Sequence, residues 1–344
     1  MKLVLHSYTF RRYPLRHVFA VARRYGWDGI ELVHFHFDPA RVEDEIAKAV
    51  TLGRRYGVPI HCVGYTGDFV GDDPSDRAAS LALARRTIET CARHGIELVN
   101  GWSGTLERDP DDWRRNGSAI AEDRHYERAA EGYRQLGEYA RRHGVRVGVE
   151  VYPGSVHDTV ATTARLLAMV DHPNVFATAD PGNAYVVSPA DRDPEVLDQL
   201  AGRLGYFHLK NLHPDGGRAD FNVDTADGVL DNYAWITKAY ALGVPAICVE
   251  YCGTGDPHPP IARAGNYVRD CLALRDDLDR RHEAAEAIGA NEAAEAIGAI
   301  GAAEAAEPNR AAAVDLSRPA GSSVATLVAK DAGPALAGAP GSGR

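Results

Sequence analysis

Short apolar runs recur along residues 1–281, separated by longer stretches whose apolar residues fall at helical spacing. The runs are "KLVLHSY", "GIELVHF", "PIHCVGY", "IELVNGW", "VRVGVEVY", "VFATADP", "GYFHLKN" and "AICVEYC". Between them lie amphipathic patterns such as "LRHVFAVARRYG", "RVEDEIAKAVTLGRRYG" and "AASLALARRTIETCARHG". Several of these close on a glycine just before the next run, the usual C-terminal stop of a helix. Eight strands, each followed by a helix, predict an α/β protein with a (β/α)8 barrel, a fold of about 250 residues in one domain. A doubly wound open sheet is the alternative. It needs a glycine-rich turn after its first strand, and "LHSYTFRRYP" has none.

The rhythm stops near residue 281. "EAAEAIGANEAAEAIGAIGAAEAAEPNRAAAV" duplicates EAAEAIGA at 283–290 and 292–299, and the remainder is rich in Ala, Gly and Pro. It lacks the large side chains that bury a helix face against a core. The expected organisation is a TIM-barrel catalytic domain over 1–281 and a low-complexity, mostly disordered tail over 282–344, with transient helix.

Composition narrows the partners. The 344 residues are 45% apolar and 25% charged, with net charge −10. That suits a globular protein with a sizeable core and offers no excess of Lys and Arg to neutralise phosphates, so no nucleic-acid partner is expected. Five cysteines without a CxxC pair fit a reducing compartment. The N-terminal apolar run is too short for a signal peptide, and no run approaches the roughly 20 residues of a membrane span. The expected location is the cytoplasm, with no membrane partner; assembly into a homo-oligomer is compatible with the sequence.

Inside "VRVGVEVYPGS" a carboxylate, Glu150, interrupts a β-branched run. A buried carboxylate needs a proton, a cation or a metal. In a (β/α)8 barrel the chemistry sits at the C-terminal strand ends. There the fifth run supplies Glu150, the sixth Asp180 in "ATADPGN", the seventh His208 in "FHLKN" and the eighth Glu250 in "CVEYCG". Taken singly, a glutamate at a strand end is more often a salt bridge or cap acceptor, a lone histidine more often a hydrogen-bonded core residue, and Asp180 before Pro-Gly can simply start a turn. Three carboxylates converging at one barrel mouth repel one another unless a cation lies between them. Three carboxylates and one imidazole suit one divalent ion, Mn2+ before Mg2+ or Co2+, with Zn2+ less favoured by so many oxygen donors.

The order "DGIEL", "EVYPG", "DPGN", "HLKN" and "VEY" before Gly resembles the xylose-isomerase-like TIM barrel superfamily, in its sugar phosphate isomerase/epimerase branch. The resemblance covers about residues 1–280. It implies that Glu150, Asp180, His208 and Glu250 bind the metal, and that Glu150 and Glu250 also exchange protons with a keto-sugar from opposite faces. There are departures. Many ketose epimerases of the family carry His where this chain has Asn183, some dehydratases of the superfamily carry His where it has Tyr152, and the usual "HLKD" reads "HLKN" with Asn211.

The expected activity is a metal-dependent sugar isomerase or epimerase working through an ene-diolate on a small carbohydrate. The alternative is a metal-dependent lyase or dehydratase acting on a keto-cyclitol or keto-glycoside. An endonuclease IV-like nuclease is a third class, and its zinc cluster and basic surface have no match here. A sugar binder without catalysis is a fourth, against which the intact ligand set speaks. Lys210 shares a strand face with His208. Arg218, His157, Asn183, Trp102 and Tyr8 are further candidates for substrate contact, with Phe10 beside Tyr8. His34, His36 and His61 raise the idea of a second metal.

Overall fold

The computed structural model describes the backbone of residues 1–305 and the side chains through residue 283. Among the described residues ten strands form, β1 (Lys2–His6), β2 (Gly29–Leu32), β3 (Ile60–Thr66), β4 (Leu98–Trp102), β5 (Arg146–Glu150), β6 (Val175–Ala179), β7 (Leu204–Leu209), β8 (His213–Asp215), β9 (Arg218–Asp220) and β10 (Ala246–Val249). Eight of them pair in parallel and close on themselves, with β10 bridging β7 and β1, so the predicted barrel is the observed one. β8 and β9 form a separate antiparallel hairpin between β7 and the last barrel strand. The second apolar run is shorter than its sequence suggests. β2 stops at Leu32, and His34–His36 turn away as a short 3-10 helix.

Helices α1 (Leu15–Tyr25), α2 (Val42–Tyr56), α3 (Pro74–Arg93), α4 (Asp123–Arg142), α5 (Val160–Val170), α6 (Pro181–Val187), α7 (Asn232–Ala241) and α8 (His258–Ala305) follow the barrel strands in turn. The glycine stops act as expected in α1 and α2, which end on Gly26 and Gly57 in the left-handed conformation that a side chain disfavours. Contacts divide the chain into two units, Met1–Glu283 and Ala284–Arg344. The Ala- and Glu-rich backbone to Ala305 is helical, in keeping with its propensity. The rest of the low-complexity segment, 306–344, lies outside the described residues. No helix among the described residues is long and apolar enough to cross a membrane. The five cysteines are all free.

Two apolar layers build the first unit. A large cluster fills the space between sheet and helices, including Phe19, Ile46, Ile88, Tyr133 and Trp235. A smaller one, Val4, Cys62, Leu98, Phe176, Tyr206, Ala246 and Cys248, plugs the barrel itself. Side chains alternate along a strand, so residues two positions further on face the same way. Two steps beyond Val4, Leu98, Phe176, Tyr206 and Cys248 stand His6, Asn100, Thr178, His208 and Glu250, all buried. A dry floor thus carries a polar layer directly above it.

The floor depends on one close approach. The β6–β7 pairing shifts register so that Ala177 faces Leu204 and Thr178 faces Tyr206, passing over Gly205. A side chain on Gly205 would collide with the Phe176 ring. Gly205→Ala is therefore expected to lower the unfolding free energy by about 1–3 kcal/mol, the usual cost of overpacking. Urea titration checks it, and an unchanged midpoint would show that the ring moves aside freely.

Candidate active site

The polar layer is a closed set of charge contacts. His208 lies between three carboxylates, with Nε2 2.9 Å from Glu31 Oε2 and Nδ1 3.4 Å from Glu150 Oε1 and 3.8 Å from Asp180 Oδ2. His6 lies between two, with Nδ1 3.2 Å from Glu250 Oε1 and Nε2 3.7 Å from Glu31 Oε1. Lys210, two residues beyond His208, places Nζ 2.9 Å from Asp180 Oδ2 and 2.6 Å from Glu250 Oε2. Amides complete the set. Asn100 Nδ2 donates to Glu150 Oε2 at 3.3 Å, and Asn100 Oδ1 accepts from the Thr178 hydroxyl at 2.7 Å. Asn183 Nδ2 donates to Glu150 Oε1 at 3.3 Å and to the Val151 carbonyl at 3.0 Å.

Burial and charge compete at five of these groups. Burial pushes Glu31 up, but the His208 and His6 imidazoles outweigh it and bring the carboxyl down to about 2. Burial likewise works against Glu250, and the Lys210 ammonium, with His6 and His208, holds it well below the usual carboxylate range. At Asp180 burial wins over Lys210 and raises the acid to about 6. Burial disfavours the charge on His208 and Lys210, yet the carboxylates around each raise both well above their ordinary values.

Two groups have the makings of a cation site: Glu150 with Asp180 and His208, and His6 with Glu31 and His208. In each, one donor atom per residue lies within 4.8 Å of the others. In the first, Asp180 Oδ2 is held by charge contacts alone, Lys210 Nζ at 2.9 Å and His208 Nδ1 at 3.8 Å, and His208 Nδ1 faces Glu150 at 3.4 Å, while Nε2 of the same imidazole faces Glu31. Two carboxylate oxygens and the ring nitrogen turned towards them fit a divalent metal, and a carboxylate on the far ring nitrogen is the usual way of fixing a ligating histidine. Glu250, the fourth residue of the expected set, belongs to neither group; its carboxylate is turned to Lys210 and His6.

Most of the other candidates line one cavity of about 620 Å3 at the C-terminal strand ends: Tyr8, Trp102, Asn183, Lys210 and Arg218. Trp102 stacks on Tyr152 with centroids 4.3 Å apart, and Tyr8 meets the exposed Phe35 edge-on at 4.9 Å. His157 does not line it. It is fully buried against Ser103, 3.1 Å from the hydroxyl, and burial takes its imidazole down to about 4. Phe10 also packs elsewhere, against Tyr13, His17 and His258. Among the described residues, none of His34, His36 and His61 joins a candidate ligand group. His36, for instance, faces the Phe10 and Tyr13 carbonyls. The residues that sequence reasoning missed are His6, Glu31 and Asn100. Each is a polar residue inside an apolar run, the same signal that exposed Glu150.

Barrel and site together define a (β/α)8 barrel whose C-terminal mouth holds a buried cluster of carboxylates and histidines. A family model described as xylose isomerase-like TIM barrel matches residues 19–299, and the chain belongs to that family. An inosose dehydratase from Klebsiella pneumoniae subsp. pneumoniae is 29% identical over 124 residues, a match covering 32% of this chain and 41% of that protein. The chain thus spans about two fifths of that relative's length. Among solved structures, D-allulose 3-epimerase from Methylomonas sp. in complex with D-allulose has a TM-score of 0.64 at 17% identity, covering 78% of this chain and 96% of its own. The IOLI protein with a bound zinc atom has a TM-score of 0.66 at 16% identity, covering 80% and 99%.

Removing the Lys210 ammonium would leave Asp180 and Glu250 buried against each other. Lys210→Met is expected to destabilise the metal-free protein by about 3–5 kcal/mol, the cost of breaking a buried ion pair. Urea titration in the presence of chelator measures it, and an unaltered midpoint would mean that the carboxylates do not depend on this cation.

Proposed function

We propose that the protein is a divalent-metal-dependent isomerase or epimerase of keto-sugars, with Glu150, Asp180 and His208 holding the ion and Glu150 and Glu250 moving protons. The observation that carries this is the convergence of one donor atom each from Glu150, Asp180 and His208 within 4.8 Å of one another, at a cavity that Glu150 and Glu250 line. Mn2+ suits the oxygen-rich donors best, and a family neighbour from Mycobacterium smegmatis carries magnesium. A bound ion supplies polarisation of the substrate carbonyl, which acidifies the neighbouring C–H.

The chain's own residues do the rest. β6 and β7 separate β5 from β10 in the barrel, so Glu150 and Glu250 approach the cavity from different sides. One carboxylate takes the proton from the α-carbon, and the electron pair of that C–H bond becomes the C=C of an ene-diolate. The Lys210 ammonium, buried at the cavity floor, offsets the negative charge that develops on oxygen. Return of a proton from the other glutamate to the opposite face inverts the centre, and return to the adjacent carbon isomerises the sugar. Asn183 and Asn100 hold the Glu150 carboxylate in place, and neither can act as acid or base. The Trp102–Tyr152 pair gives a flat apolar face on which a sugar ring can lie.

A second reading is a lyase. Loss of a β-hydroxyl from the same ene-diolate dehydrates the substrate, and the similarity to an inosose dehydratase favours it. Incubation of Mn2+-loaded protein in D2O with ketoses, keto-inositols and keto-glycosides separates the two. Deuterium in a product of unchanged composition marks the epimerase, and an enone absorbing in the ultraviolet marks the lyase. Chelation by EDTA is expected to abolish either activity and Mn2+ or Co2+ to restore it. Glu150→Gln and Glu250→Gln should each lower turnover by roughly two to four powers of ten, the usual contribution of a positioned acid or base. Near-normal turnover in both would move the proton transfer to Lys210.

A further inference from the structure

The chemistry above occupies the cavity floor, and a second set of residues walls its outer part. Trp113 comes from the loop between β4 and α4, and Arg218 and Phe221 from the β8–β9 hairpin and its exit. Sequence alone reads "HPDGGRAD" as a flexible loop. In the structure the two segments are clasped: the Trp113 N–H donates to the Gly217 carbonyl at 2.9 Å, and Asp112 and Gly217 form a bridge. A side chain on Gly217 would collide with Asp112, so the clasp depends on glycine there. Arg218 donates to the Pro110 carbonyl, and the Asn222 side-chain oxygen accepts from the Thr254 hydroxyl at 3.0 Å, fixing the far end of the hairpin. The wall is preformed.

Its face is aromatic and half-buried. The Trp113 and Phe221 rings lie within 28° of parallel with centroids 6.3 Å apart, and the Arg218 guanidinium sits 5.3 Å over Trp113. Phe221 reaches inward until Lys210 Nζ is 5.4 Å from its ring centroid, so the outer wall meets the catalytic floor without a gap. Size points the same way. At about 30 Å3 for each water-sized group, the cavity of about 620 Å3 holds roughly twenty, whereas a six-carbon sugar brings roughly a dozen. A single sugar at the carboxylates reaches Phe221 at most and leaves space beside Trp113 and Arg218 unfilled.

We propose that this wall is a second subsite that receives the outer ring of a glycoside, so that the substrate is a keto-sugar joined to a further ring and not a free monosaccharide. The inner ring's identity rests on the proposed keto-sugar chemistry. The outer subsite rests on Trp113, Phe221 and Arg218. Flat apolar rings take either an aromatic aglycone or the C–H face of a second sugar, and Arg218 and Glu107 at the rim can bond to hydroxyls.

Calorimetric titration of the Mn2+-loaded full chain with methyl β-D-glucopyranoside, phenyl β-D-glucopyranoside and cellobiose tests it apart from turnover. The expected result is binding of at least one two-ring ligand about tenfold tighter than the methyl glycoside. A gain for the phenyl glycoside alone identifies an aromatic aglycone, and a gain for cellobiose a second sugar. In Trp113→Ala and Phe221→Ala the ratio should collapse towards one, and Trp113→Phe should restore most of it. Equal affinities for all three ligands, binding of none, or a ratio untouched by both alanine variants would overturn the subsite. The two proposals fail separately. A persistent ratio with no deuterium incorporation on any keto-sugar overturns the proton-transfer chemistry and leaves the subsite standing. Exchange on free ketoses with no glycoside preference does the reverse.

Discussion

Everything at the barrel mouth follows from burying four carboxylates, Glu31, Glu150, Asp180 and Glu250, above an apolar plug. Unpaired, each would carry a large desolvation penalty, and together they repel. The fold answers with three cationic or protonatable groups placed between them, His6, His208 and Lys210. The compensation is uneven. Glu31 and Glu250 are held well down by their partners, while Asp180 is raised. That unevenness falls where Asp180 and the Nδ1 of His208 meet Glu150, the place the proposed cation would take. It also sets Glu250 apart, because its carboxylate is tied to Lys210 and His6.

Much of this was legible in the chain, and the reason is geometric. Strand alternation and the habit of (β/α)8 barrels of collecting chemistry at one end bring Glu150, Asp180 and His208 together from three separate apolar runs. The same rule applies to His6, Glu31 and Asn100, which also interrupt apolar runs, but the first four runs carried no obvious ligand order and their polar members looked incidental. Three histidines near the second and third runs, His34, His36 and His61, drew attention instead. β2 ends before the first two, which turn out of the barrel line. His157 was misplaced for a related cause. It follows β5 closely but lies behind the cavity, packed on Ser103 and Tyr133.

The outer wall illustrates what pattern reading cannot reach. "DGG" before Arg218 is a turn signal, but nothing local says that the hairpin will be pinned at both ends by other loops. That contact is long-range, and it converts two loops into a rigid aromatic surface over the charged floor. Floor and wall have different sequence logic: the first is set by barrel periodicity, the second by loop-to-loop fit. A family whose members share the floor can therefore differ in what they accept.

On the proposed reading, the buried carboxylate layer holds one divalent cation through Glu150, Asp180 and His208. Titration of the metal-free protein with Mn2+, followed by the loss of the free-ion electron paramagnetic resonance signal, tests it most directly. One bound ion per chain, abolished in the Asp180→Ala, His208→Ala double variant while the barrel still melts cooperatively, is the predicted result. Undiminished occupancy in that variant would contradict the account.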